Sequence, residues 1–121
     1  MRDADIRMAS QSPFITIGSH SVTHGSLLHQ SKTVVQEEMT RSKNALETLT
    51  GKSIYSFAFP FGDYTPELTE VAVNCGYTNI ACVDYCYGEN SVNKQFSDRF
   101  GMNPHISFPV QITEIKRGSY F

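Results

Sequence analysis

From Val35 onward, side chains recur at the rhythm of one helix face. Val35, Met39, Ser42, Leu46 and Leu49 follow one another at intervals of four, three, four and three residues. Thr33-x-x-Gln36 reads as a capping box in front of this run and Gly51 as its stop, so the spacing predicts a helix over 33–50. A second helix opens at Thr65 as N-cap with Pro66 in the first helical position. It turns Leu68, Val71, Ala72 and Cys75 inward and ends at Gly76. Around these helices lie short apolar runs of strand character: Phe14–Ile17, Ser56–Phe59 and Asn79–Asp84. The third is apolar on both faces from Ile80 to Val83, as in a parallel sheet covered on both sides. Residues 85–104 are polar and rich in Gly and Asn, which predicts a long loop. A last strand near His105–Phe108, Pro109 and a short helix around 112–118 complete the chain. The order β-α-β-α-β-loop-β-α predicts an α/β domain with parallel strands, right-handed crossovers and outer helices.

Bulk properties narrow this picture. With 121 residues the chain makes one domain, read here as spanning 1–121. Hydrophobic residues at 40% and charged residues at 18% are those of a folded globular chain rather than a disordered one. A net charge of −2 offers no basic surface for nucleic acid or anionic membrane. No apolar run approaches the ~18 residues of a membrane span. The polar start Met1-Arg-Asp-Ala-Asp5 shows no signal peptide, so any targeting segment is expected outside this chain. Cys75, Cys82 and Cys86 are odd in number and contain no Cys-x-x-Cys pair, which argues against a disulfide framework or a zinc ribbon. Cys75 and Cys82 fall on apolar positions and are expected as buried thiols.

The candidate chemistry is concentrated in Gly18-Ser-His-Ser-Val-Thr-His24. Four-residue spacing brings His20 and His24 to one side of a helical turn or tight loop, where both reach a single metal ion. They follow the predicted Phe14–Ile17 strand, and α/β sheets place their chemistry past the carboxyl ends of strands. The same pair read alone also fits two surface imidazoles. Ser21 and Thr23 are expected to orient this loop, since no Ser-His-Asp order accompanies them. His29 is expected in solvent.

From Ile15 to about Asp84 the chain resembles the NodB-like polysaccharide deacetylases of carbohydrate esterase family 4. The matching text is Ile17-Gly-Ser-His-Ser-Val-Thr-His24, Glu38-Met-Thr-Arg-Ser-Lys43, Leu46-Glu47 with Gly51, Phe57-Ala-Phe-Pro-Phe-Gly-Asp-Tyr64 and Cys75-Gly-Tyr77. The resemblance implies the carboxyl-terminal portion of a distorted (β/α) barrel that removes N- or O-acetyl groups from a glycan, such as an N-acetylglucosamine polymer. It implies a divalent metal, commonly zinc, held by His20, His24 and an aspartate, with a neighbouring aspartate as general base. Both aspartates belong to a Thr-Phe-Asp-Asp-type motif several dozen residues upstream of the histidines. Only Asp3 and Asp5 precede His20 here, and neither sits in an apolar strand pattern, so base and third ligand are expected to be missing.

The resemblance assigns the remaining site by position. The turn Pro60-Phe-Gly62 lines the acetate pocket, with the Phe61 amide as oxyanion donor. Pro60, Asp63 and Tyr64 border the sugar, although Asp63 is equally a turn residue. Ala58 stands where many members carry an arginine, and Arg99 would supply that guanidinium from another strand. His105 would be the late histidine that protonates the leaving amine. The resemblance further implies a cell-envelope or secreted setting.

Three expectations follow: weak zinc binding, little deacetylase activity in this chain, and a homo-oligomer formed through an uncovered edge at Phe14, Ile15 and Ile17. A catalytically inactive remnant, acting as a sugar-binding or assembly module, is the competing reading.

Overall fold

Helix formation begins earlier than the apolar rhythm indicates. A computed structural model of the chain describes residues 2–82, 96–98, 107 and 109–111. Helix α1 spans Asp3–Ser10, a short stretch whose only large apolar residues are Ile6 and Met8. Its start is polar: the Arg2 amide donates to Asp5 Oδ2 at 3.0 Å, and the Arg2 guanidinium meets Asp5 Oδ1 at 3.2 Å. Asp3 and Asp5 also oppose the positive end of the helix dipole. At the other end the Lys52 ammonium donates to the Ser10 carbonyl, tying α1 to the turn that follows the long helix.

That long helix, α2, spans Lys32–Thr50. Its N-cap is Ser31, whose hydroxyl accepts from the Val34 amide at 3.4 Å, so the predicted Thr33–Gln36 capping box lies already inside the helix. The stop is as expected. Gly51 takes φ 69° and donates its N–H to the Glu47 carbonyl, a left-handed cap that a side chain would strain. Val35, Met39 and Ser42 are buried along the predicted face, with Leu46 and Leu49 partly buried behind them.

Strand β1 is Ser56–Ala58, followed by a 3-10 turn at Pro60–Gly62 and by helix α3 at Pro66–Asn74. Thr65 caps α3 through its hydroxyl and Pro66 occupies the first turn, as the sequence predicts. Strand β2 is Asn79–Cys82 and β3 is Phe96–Asp98. The three pair in the order β1-β2-β3, all parallel, with Phe57 opposite Ile80 and Ala81 opposite Ser97. Helices α2 and α3 contribute Val35, Met39, Val71 and Ala72 to a core that includes Phe57 and Ile80 of the sheet. Cys82 is buried and Cys75 partly so. The chain is thus a mixed α/β structure on a parallel sheet. No helix among the described residues is long and apolar enough to cross a membrane.

Two sequence expectations are corrected. Phe14–Ile17 is not a strand. A strand needs a partner backbone along its length, and this segment meets β1 only at its end. There Ser19 bridges Phe57 in parallel, its N–H donating to Ser56 O at 2.8 Å and its carbonyl accepting from Ala58 N at 2.9 Å. Gly18 permits this approach, since a Cβ there would stand 3.1 Å from the Ser56 side chain. The second correction is that β3 falls inside the predicted 85–104 loop. A three-residue strand carries too little periodicity to be seen in a polar stretch, and pairing with β2 is what makes it one. Of the predicted strand at His105–Phe108 only Ser107 is described, and it is not in a strand. Residues 109–111 are helical, whereas 112–118, Cys86, Arg99 and His105 lie outside the described residues.

Candidate functional site

The site grows from the point where Ser19 docks on β1. The next residue, His20, brings Nδ1 within 2.7 Å of the Ala58 carbonyl oxygen. A carbonyl only accepts, so Nδ1 carries the proton and Nε2 of the neutral ring presents its lone pair away from the strand. This is how proteins orient a metal-ligating imidazole. The His24 ring lies 4.8 Å from that of His20 at 63°, and 4.9 Å from the Phe61 ring at 68°. The His20–His24 loop and the Pro60 turn therefore share one surface.

Backbone strain collects at the same place. Ser21 (φ 65°), His24 (φ 58°) and Phe61 (φ 59°) are the non-glycine residues with positive φ among the described residues. Each such residue costs on the order of 1–3 kcal/mol, and persists only where its surroundings over-determine it. Here the restraints are polar. Glu38 Oε2, on α2, accepts from the amides of Val22 and Thr23, both at 2.9 Å, and from the Thr23 hydroxyl at 3.2 Å. The Ser21 hydroxyl accepts from the His24 amide at 3.1 Å. Desolvation pushes the Glu38 carboxyl up, but the Thr23 and Val22 amides, the Thr23 hydroxyl and the Arg41 charge together hold it below its ordinary value. Leu27, buried in the core, anchors the far end of the loop.

On the other side, Pro60 is buried and the Phe61 side chain is 67% exposed. Phe61 itself is left-handed at φ 59° within the Pro60–Gly62 turn. Asp63 accepts from the Ser26 hydroxyl at 3.2 Å and ties this turn to the histidine loop. Tyr64 stacks on Phe59 at 5.6 Å. Ala58, at the position the resemblance assigns to arginine, contributes its carbonyl to His20. A cavity of about 230 Å³ opens beside His20, lined by Gly18, Ser19, Ser56, Phe57, Ala58 and Ala81.

The structure thus brings His20, His24 and Phe61 into contact, with Pro60 and Asp63 in the same turn, whereas Tyr64 packs on Phe59 and the core. Two imidazoles supply half of a four-coordinate set. No group of three or more His, Cys, Asp or Glu side chains able to hold a metal ion occurs among the described residues. Asp5 is engaged with Arg2 on α1. Glu38 opens the matching text Glu38–Lys43, but the resemblance assigns it no role. Its signal is indirect: a carboxylate early in the helix that follows the histidine loop.

Residues 2–80 match the family model described as polysaccharide deacetylase. No curated protein sequence matches the chain. Among solved structures the fold is similar to BC0361, a polysaccharide deacetylase from Bacillus cereus, at 19% identity and TM-score 0.77, covering 94% of this chain and 36% of that one. It is also similar to a de-N-acetylase from Aggregatibacter actinomycetemcomitans, at 16% identity and TM-score 0.76, over 98% of this chain and 53% of that one. A BA3943 mutant, described as a CE4 family pseudoenzyme, aligns at 19% identity and TM-score 0.62, over 98% and 48%. The chain spans about half or less of the length of each.

Proposed function

The chain belongs to the polysaccharide deacetylase family, and from that premise we propose that its His20–Phe61 surface is the histidine side of a metal-dependent centre for removing N- or O-acetyl groups from a glycan. One observation carries the reading: His24 touches both the ring of His20 and that of Phe61, so the two imidazoles and the Pro60–Gly62 turn share one surface. The parallel sheet and its helices are read as the carboxyl-terminal portion of a (β/α) barrel, in one domain over 1–121.

In this reading His20 and His24 hold the divalent metal, with zinc the expected ion. When bound, that metal supplies Lewis-acid polarisation of the acetyl carbonyl and activation of a water. The Ala58 carbonyl keeps His20 in the ligating tautomer. The Phe61 N–H donates to the oxygen on which charge develops, a role that survives side-chain change because the backbone performs it. Pro60, Asp63 and Tyr64 border the sugar of an N-acetylglucosamine-type polymer. Arg99, as orienting guanidinium, and His105, as proton donor to the leaving amine, enter through sequence resemblance alone.

A second reading has its own support. Among the described residues no third His, Cys, Asp or Glu side chain joins the two histidines, which favours a non-catalytic module that binds sugar or assembles with a partner. Acetate release from an acetylated chito-oligosaccharide in the presence of zinc separates the two. Losing base and ligand together removes several orders of magnitude of rate, so little turnover is expected from this chain by itself. Zinc is expected to bind weakly and to perturb the imidazole NMR signals of His20 and His24. Nanomolar zinc binding that survives the His20→Ala, His24→Ala double substitution would overturn the assignment.

A further inference from the structure

We infer that Glu38 is the positioning residue that sets His24 against His20, an inference resting on the reading of these histidines as a metal-binding pair. The two candidate ligands sit on an exposed loop that makes few bonds of its own. Ser21 and His24 are both left-handed, Val22 is 47% exposed, and the His24 side chain is exposed, so burial does not fix the segment between them. Within the loop the Ser21 hydroxyl accepts from the His24 amide at 3.1 Å, and what ties the segment to the rest of the fold is one oxygen of α2. Glu38 Oε2 collects the successive amides of Val22 and Thr23 at 2.9 Å and the Thr23 hydroxyl at 3.2 Å.

Two consecutive N–H groups converging beside a left-handed residue form a concave anion site. In this protein the anion is a side chain of the chain itself. Charge-assisted bonds of this kind are about twice as strong as neutral ones. Three of them on one atom oppose the backbone strain at Ser21 and His24. The arrangement also provides a rigid reference, because Glu38 lies on α2 next to Met39, which is fully buried in the core. The position of His24 relative to His20 is thereby set from the core rather than by the loop.

Glu38 reaches neither the metal nor the substrate in this account. It acts through the loop, as groups behind metal ligands commonly do, where substitution costs about 10- to 100-fold in affinity.

The test uses the 121-residue chain, with zinc as probe and two NMR readouts: the His20 and His24 imidazole signals and the exchange rates of the Val22 and Thr23 amides. Glu38→Ala is expected to weaken zinc binding at the pair by about 10- to 100-fold. Exchange of both amides should rise by about tenfold or more. Glu37→Ala, at the neighbouring exposed position, should change neither. Glu38→Gln keeps the length and one acceptor oxygen, so it should fold even if the alanine variant does not, and should recover part of the affinity and of the protection.

Wild-type affinity and wild-type exchange in Glu38→Ala would overturn the inference. So would a glutamine variant as impaired as alanine, which would mean that the negative charge acts on the ion and not on the loop. If the wild-type chain shows no zinc response at either histidine, the metal reading fails, and with it the role given to Glu38. The amide exchange rates then still report whether Glu38 clamps the loop, so the two failures are distinguishable.

Discussion

The hydroxyls of Ser19 and Ser42 meet at 2.6 Å in the buried interior, joining the residue before His20 to the middle of α2. The direction of this bond follows from its neighbour. Ser42 donates its proton to the Met39 carbonyl at 3.0 Å, so Ser19 donates to Ser42. The Tyr77 hydroxyl donates to the same Met39 carbonyl at 2.8 Å. Burial pushes the Tyr77 phenol above its ordinary value, outweighing the nearby Ser19 and Ser42 hydroxyls, so it stays a neutral donor at neutral pH.

Ser42→Ala would strip Ser19 of its acceptor inside the core. A buried polar group without a partner costs about 1–3 kcal/mol, so the urea midpoint should fall by a corresponding amount. Adding Ser19→Ala should cost less than the sum of the two single changes, because the first change already removes the shared bond. Strict additivity in the double-mutant cycle would contradict the direct link.

Lys43, the next residue along α2, does comparable work at the other end of Tyr77. Its ammonium donates to the Ile54 carbonyl and, at 3.3 Å, to the Gly76 carbonyl, and lies 4.8 Å from the Tyr77 ring centroid. Glu47 completes the arrangement by accepting from the Ile54 amide at 2.9 Å. Lys43→Met keeps the aliphatic stem and deletes the donors, which should cost about 1–3 kcal/mol in thermal unfolding. A variant as stable as wild type would mean that water replaces the ammonium at these carbonyls.

Glu38 should make acid stability depend on the histidine loop. Its carboxyl titrates below its ordinary value in the folded chain, so its contribution is present above the unfolded-state value and is lost as pH falls through the lowered folded-state value. Glu38→Gln should therefore lose stability at neutral pH and show a flatter decline in the acid range than wild type. Chemical unfolding across that range checks it. Parallel curves for the two proteins would rule this out.

Self-association is expected at the segment before Gly18. Phe14 is 94% exposed and Ile15 49%, while Ile17 packs partly against the core. Helix α1 folds back onto α2 but leaves Phe14 bare. An apolar side chain so placed, beside a backbone with few pairing partners, favours contact with a second copy. Sedimentation should show species heavier than 13.6 kDa at micromolar concentration, and Phe14→Asp should reduce them. A clean monomer for the wild-type chain would defeat the expectation.

Helices with an apolar face were legible from spacing, because a periodic face and its stop are local properties. Gly51 and the Thr65-Pro66 start of α3 were readable one residue at a time. The polar helix α1 was not legible, since eight residues with two large apolar side chains are too short a window to show a helical rhythm. Strands were the weak point. Phe14–Ile17 has the composition of a strand but lacks a partner, whereas Phe96–Asp98 has a partner in β2 and almost no pattern.

The sequence by itself determined that His20 and His24 lie close together, because four residues of chain leave little room to separate them. It also determined that a proline turn follows a short buried strand. Only the tertiary structure decided that Ala58 fixes the His20 tautomer, that Phe61 meets His24, and that Glu38 holds the loop. Each of these contacts joins residues far apart in the chain. Their pairing depends on how α2 and β1 pack around one core, and no local pattern records that geometry.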